Sequence, residues 1–291
     1  ELVRLFRPEF ERVQALALAR ERFHEEMIAL TEEQYEILDH WAGADRIYCS
    51  SPAGCGKTLL AAEMARRAIA AGDTVLLLVG TSTLGDYLKL QPDISGVVAS
   101  MSSVLATPEV DRPRVRVLIV DEGQQLLSND NMKVLDSLVE GGLREGRWAW
   151  FGDVSFQAPC PHEEMEAGIS VLNGAATVRP RLTKNCRNTP EIITTVELAA
   201  GIPLGHAVVS GRGQPPSMPD IGGRPDAPAA VARQIKAWLS ENISLANITL
   251  LTNDDDADGL AAEVGRIGGF QVGPWVPGTK SEMQLQYARL E

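Results

Sequence analysis

Hydrophobic positions recur along the chain in two alternating rhythms. Compact apolar runs at 46–50, 74–79, 115–120, 147–151 and 177–182 predict strands. Between them, apolar residues three and four apart predict helices at 57–71, 83–90, 131–140 and 189–200. This alternation predicts a parallel sheet with helices on both faces, the α/β class. Upstream, Phe10, Val13, Leu16, Phe23, Met27 and Leu30 stand at helical spacing among charges and predict an amphipathic lead-in helix. Thr31-Glu32-Glu33-Gln34 has the capping-box pattern and opens the next helix. A stretch rich in Gly and Pro, Ser210 to Pro228, predicts a linker. After it the alternation restarts: helix 229–240, strand 247–252, helix 256–266, strand 269–272. That is short for a doubly wound sheet. The expected organisation is a lead-in helix over 1–30, a first domain over 31–208, a linker over 209–228 and an incomplete second domain over 229–291.

Composition narrows the function classes. The chain has 291 residues, with 27 Lys and Arg against 39 Asp and Glu, a net charge of −12. Such a surface does not coat nucleic acid indiscriminately, though it leaves room for a local basic groove. Cys49, Cys55, Cys160 and Cys186 form no CxxC pair, the usage of a reducing compartment without a zinc ribbon. The apolar runs fall well short of the ~20 residues that span a bilayer. No signal peptide is visible, so a cytoplasmic location away from membranes is expected. His24, His40, His162 and His206 are dispersed, and Asp254-Asp255-Asp256 reads as a solvated helix start.

The chemistry concentrates in two places. Strand 46–50 runs into Ser51-Pro52-Ala53-Gly54-Cys55-Gly56-Lys57-Thr58 and then a helix. This is the phosphate-binding pattern G-x-x-x-x-G-K-[ST], with Ser51 in place of the first glycine. Gly54 and Gly56 let the backbone curl into an anion nest at a helix N-terminus. Lys57 would reach the β- and γ-phosphates, and Thr58 would hold Mg²⁺. Strand 115–120 ends in Asp121-Glu122-Gly123-Gln124. Asp121 suits a Mg²⁺ ligand, and Glu122 suits the orientation or deprotonation of an attacking water. Read singly, this segment is as easily a solvated acidic turn; beside the loop it gains its chemistry. Gly152-Asp153 with Gln157 could sense the γ-phosphate. Arg187, isolated between a strand and a helix, could stabilise charge on a transferring phosphoryl group. Taken alone these two read as a capping turn and a surface arginine.

In this order the segments resemble superfamily 1 helicases of the UvrD/Rep type, P-loop NTPases with RecA-like motor domains. Leu30-Thr31-Glu32-Glu33-Gln34 resembles the adenine-recognising Q motif, which implies Gln34 as adenine reader. The Ala53-Gly54-Cys55-Gly56-Lys57-Thr58 core is similar to motif I, with Pro52 ahead of it, and Asp121-Glu122-Gly123-Gln124 to the family's D-E-x-Q. Gly152, Asp153 and Gln157 resemble its third motif, and Asn185-Cys186-Arg187 its N-x-R motif. The resemblance implies ATP and Mg²⁺ as cofactors. It implies catalytic roles for Lys57, Glu122, Gln157 and Arg187, and nucleotide contacts for Gln124 and Asp153. It implies single-stranded or partly duplex DNA as partner. The nearest likeness is a bacterial subgroup often linked to a nuclease domain or subunit, some of it in antiviral defence.

The sequence also departs from the family. Three residues separate Asp153 from Gln157 where the family has two, and no base-stacking aromatic follows Gln157 in Ala158–His162. Little stands between Gly80 and Met101 where the family inserts a subdomain. The later motifs of the second motor domain are expected beyond Gln286–Glu291. Two functions stay open: an ATP-driven DNA helicase or translocase, and a non-translocating ATP switch acting on a partner such as a nuclease. A small-molecule kinase fits the Glu122–Gln124 context and Arg187 less well.

Overall fold

The computed structural model describes residues 32–155, 160–208, 216, 227–252, 266–267, 270–274 and 285–289. These divide between two compact units, with the boundary after Pro216. The expected lead-in helix over 1–30, the cap Thr31, Gln157, most of the linker and the acidic run at 254–256 lie outside the described residues.

The larger unit begins with α1 (Glu32–Trp41), β1 (Arg46–Ser50), α2 (Lys57–Ala70), β2 (Val75–Val79) and α3 (Ser82–Lys89). There follow β3 (Val98–Ser100), α4 (Met101–Ala106), β4 (Val117–Asp121), α5 (Asn129–Leu138), α6 (Gly142–Glu145) and β5 (Arg147–Gly152). It continues through α7 (His162–Ala175), β6 (Lys184–Asn185), α8 (Pro190–Ala200) and β7 (His206–Ala207). Five strands form one parallel sheet in the order β1-β5-β4-β2-β3. β5 therefore stands between the strand that feeds the glycine loop and the strand that ends in Asp121, in a parallel sheet with helices of the expected α/β class.

Period-two alternation explains why both faces are covered. Ile47, Cys49, Val75, Leu77, Val79, Val117, Ile119, Ala149 and Phe151 share one core with α1 and α2. Their alternates Tyr48, Leu76, Leu78, Leu118, Val120, Trp148 and Trp150 share the other with α5 and α7. The register then sets the site. Ser50 pairs with Gly152, and Val79 with Asp121. The carboxyl ends of β1, β5 and β4 thus lie along one edge, where ligands of such sheets bind.

One expected strand needs correction. The run 177–182 is not a strand: only Val178 bridges to Ile47. Pro180 lacks an N–H for a ladder, and the Leu182 N–H is taken by the Ser51 hydroxyl at 2.8 Å. The fifth strand is instead β3, three residues long at the sheet edge. Helices α4, α6 and α7 and the short strands β6 and β7 stand where the hydrophobic pattern predicts no element.

The smaller unit contains α9 (Ala227–Ser240), β8 (Thr249–Thr252), β9 (Arg266–Ile267), β10 (Phe270–Pro274) and β11 (Leu285–Arg289). Its strand order is β8-β11-β10-β9. β11 runs parallel to both β8 and β10, and β9 pairs antiparallel with β10. Ala232, Ile235 and Ile248 form its small core. The expected helix over 256–266 falls on residues that are not described, apart from Arg266, which begins β9. β11 was not expected.

Candidate phosphate site

The loop after β1 begins with Ser51, which is 2% exposed. Its N–H donates to the Gly152 carbonyl at 3.0 Å, carrying the β1–β5 ladder one step into the loop. Gly54 and Gly56 then adopt φ of 87° and 78°. A nest requires such left-handed turns, and an L side chain resists them. There is also no room for one. A Cβ on Gly56 would collide with the Gln34 amide, and one on Gly54 would lie 2.5 Å from Asn185 Oδ1. Gly56 caps α2 without a side-chain hydrogen bond, so the N-terminus of that 14-residue helix opens toward the loop.

Lys57 is 6% exposed, and its Nζ donates to the carbonyls of Ser51 at 2.8 Å and Pro52 at 2.9 Å. An ammonium has three donors, so one remains for an anion. Lys57 and Thr58 line a cavity of 280 Å³ together with Ala53, Gly54, Gly56, Glu122, Gln124, Asp153 and Arg187. Val196, Ile202 and Leu204 form its apolar wall.

Asp121 lies behind this cavity, fully buried. Neither carboxylate oxygen has a hydrogen bond of full geometry. The Thr58 hydroxyl approaches closely enough to lower its pKa, as do the Glu122 N–H and the Lys57 charge. Burial first, then the neighbouring Glu122 charge, outweigh these and push it up to about 6. An unpaired buried carboxylate beside a threonine hydroxyl is costly unless something positive completes it. Mg²⁺ held by one carboxylate, one hydroxyl, phosphate oxygens and water fits this donor set. Among the described residues there is no cluster of three His, Cys, Asp or Glu that could hold a metal without such outside ligands.

Glu122 has a φ of 52°, a left-handed conformation that costs a non-glycine residue about 1–3 kcal/mol. Gln124 fixes its carboxylate: Nε2 donates to Glu122 Oε2 at 2.5 Å, and Oε1 accepts the Asp153 N–H at 3.1 Å. Gln124 is 3% exposed, so this bridge is shielded from water. It joins the ends of β4 and β5.

The structure thus gathers Ala53, Gly54, Gly56, Lys57, Thr58, Glu122, Gln124, Asp153 and Arg187 around one cavity, with Asp121 behind Thr58. Pro52 faces a neighbouring groove and contributes its carbonyl to Lys57. Cys55 is buried, and burial pushes its thiol up to about 12; burial also raises Cys49 and Cys186. These thiols stay protonated and act as packing and hydrogen-bonding groups. Gln34 is fully buried and donates from Nε2 to the Cys55 carbonyl at 2.9 Å, so its amide braces the loop from beneath. It is not among the residues that line the cavity.

Sequence reasoning missed several residues here. The apolar wall Val196, Ile202 and Leu204 carries no motif. Ser51 departs from the motif's glycine, and the sequence around it carries no sign of the bond its hydroxyl makes. Asn185 stands inside the N-x-R motif, whose pattern points to the arginine and not to the amide. Glu33 receives the Thr183 hydroxyl at 2.7 Å, the Thr183 N–H at 2.9 Å and the Lys184 N–H at 3.1 Å, pinning the segment before Arg187 to α1. Glu33 stands between the two ends of the Thr31–Gln34 capping box, and nothing local in the sequence points to partners 150 residues away.

No protein-family model matches the chain, and no curated protein matches it. Among solved structures it is similar to a Bacteroides Pif1 bound to ssDNA, at 14% identity and a TM-score of 0.44, over 81% of this chain and 56% of that one. It is also similar to the Pif1 helicase from Candida albicans, at 15% identity and a TM-score of 0.36, over 53% of this chain and 39% of that one. The chain covers little more than half of the first and less than half of the second. Likeness at this level fixes neither a family nor an activity.

Proposed function

We propose that this chain binds ATP with Mg²⁺ and hydrolyses it as the motor of a DNA helicase or translocase. One observation carries the reading: a glycine turn followed by a lysine, the Glu122 carboxylate and Arg187 converge on a single cavity at the carboxyl edge of a parallel sheet. The Gly54–Gly56 turn and the N-terminus of α2 bind the phosphates, and Lys57 neutralises the β- and γ-oxygens. Thr58 and Asp121 would hold Mg²⁺, which supplies further neutralisation of phosphate charge when bound. Glu122, held by Gln124, orients water and takes its proton as the water oxygen attacks the γ-phosphorus and the bond to ADP breaks. Arg187 counters the charge on the transferring group. The apolar wall offers the nucleoside a surface to pack on.

The superfamily 1 assignment, the UvrD/Rep type and the DNA partner rest on the motif resemblance. So do the nuclease partner and the defence role; the proposed division at 31–208, 209–228 and 229–291 rests on the strand–helix alternation and the Gly/Pro-rich stretch between its two runs. The net charge of −12 favours a second reading, a nucleotide switch that acts on a partner without moving along a strand.

ATP turnover measured with and without single-stranded DNA separates the two. Strong stimulation by the strand is expected of the motor; nucleotide binding with negligible turnover, indifferent to DNA, supports the switch. Glu122→Gln should keep ATP affinity and lose turnover by about 10²–10⁴-fold. Normal turnover in that variant removes Glu122 from its role.

A further inference from the structure

Asn185 has no part in the chemistry proposed above, yet it is fully buried at the site and both ends of its amide are used. Nδ2 donates to the carbonyl of Ala53 at 3.0 Å and to that of Leu204 at 2.8 Å. Oδ1 accepts the N–H of Arg187 at 3.1 Å and of Asn188 at 2.9 Å. Both amide hydrogens are thereby spent, and both lone pairs of the oxygen. Ala53 belongs to the phosphate loop, Leu204 to the apolar wall and Arg187 to the cationic side of the same cavity. One side chain fastens three of its walls. A backbone bond from Cys186 N to the Gly54 carbonyl at 3.0 Å lies alongside.

A simpler account makes Asn185 the head of an ordinary Asx turn, in which a side-chain oxygen accepts N–H groups two and three residues on. That explains Oδ1 and leaves Nδ2 unexplained. The two donations reach 132 and 19 residues away along the chain. An aspartate would serve the turn; only an amide also donates to two carbonyls.

We propose that Asn185 is a positioning residue that sets the distance between the phosphate loop and Arg187, so that the arginine registers the terminal phosphate. This rests on the reading of the cavity as a triphosphate site. Asn185 touches no substrate and acts through the backbones of Ala53 and Arg187.

Asn185→Asp tests this, because it retains the acceptor and removes both donors. The measurement is equilibrium binding of ADP and of a non-hydrolysable ATP analogue to the full chain, whose affinity ratio reads the γ-phosphate. The wild type should favour the analogue. Asn185→Asp should cut that preference by about tenfold, as Arg187→Ala should, with ADP affinity changed by less than about threefold. The double variant should be no worse than Arg187→Ala alone. Should circular dichroism show that Asn185→Asp does not fold, Asn185→Ser gives the same readout without burying a charge.

Equal weakening of ADP and analogue, additive losses in the double variant, or a preference unchanged from wild type overturns the inference. So does a wild type with no preference. Lys57→Ala separates the two levels. If it leaves binding of both nucleotides intact, the triphosphate reading fails and takes this inference with it. If it abolishes binding while the Asn185 variants keep the wild-type preference, only the inference fails.

Discussion

Ser51 shows what a departure from a motif means at the scale of one residue. A glycine at this position would leave the Leu182 N–H without the hydroxyl that accepts it at 2.8 Å. Ser51→Ala removes that acceptor inside a buried setting and should cost about 1–3 kcal/mol in urea unfolding, with little change in loop conformation. An unchanged unfolding midpoint would show that Leu182 finds another partner. The sequence could not reveal this bond, since its two ends are 131 residues apart. Gln34 teaches the same lesson. Its neighbours suggest a cap and its motif implies an adenine contact, while its hydrogen bond to the Cys55 carbonyl depends on how α1 packs beneath the loop. Lys57, Asp121 and Glu122 were legible because their signals are local: a glycine-flanked lysine before a helix, and acids at the tip of an apolar strand.

At the scale of elements, β1, β2, β4 and β5 were readable because each is a short apolar run buried on both faces. β3 escaped notice because a three-residue edge strand carries almost no periodicity. The run at 177–182 misled because apolar residues alone do not make a ladder. Helix α1 has a further consequence, through Glu33. Burial tends to raise the pKa of that carboxyl, but the hydrogen bonds from Thr183 and Lys184 and the Lys184 charge more than offset this and lower it. A lowered carboxylate pKa stabilises the fold above the unfolded value of 4.5 and loses that contribution as pH falls through the folded value. Glu33→Gln should therefore be less stable than wild type at neutral pH, by less than about 1 kcal/mol because water reaches the group. The difference should vanish in acid below the folded pKa. A gap in thermal midpoint that stays constant from neutral pH into that range would contradict the ionic origin.

At the scale of the molecule, the site exists because one sheet edge collects the ends of three strands that are distant in sequence. Parallel register brings Ser50 beside Gly152 and Val79 beside Asp121, so the loop, the acids and Asp153 meet without any being near another along the chain. This much of the site follows from an α/β pattern, since strand ends on one edge are a property of the class. The apolar wall and the Asn185 ties do not, because they depend on how the segment after Val178 returns to the loop. Every residue lining the cavity belongs to the larger unit. Among the described residues no helix is long and apolar enough to cross a membrane.

The proposed activity requires that the loop at Gly54–Thr58 hold a triphosphate. Titrating the wild-type chain and Lys57→Ala with a fluorescent ATP analogue in Mg²⁺ tests it most directly. Saturable binding by the wild type, weakened about tenfold or more by loss of the ammonium, is the predicted result. Equal affinity in the two proteins, or no saturable binding by the wild type, would contradict it.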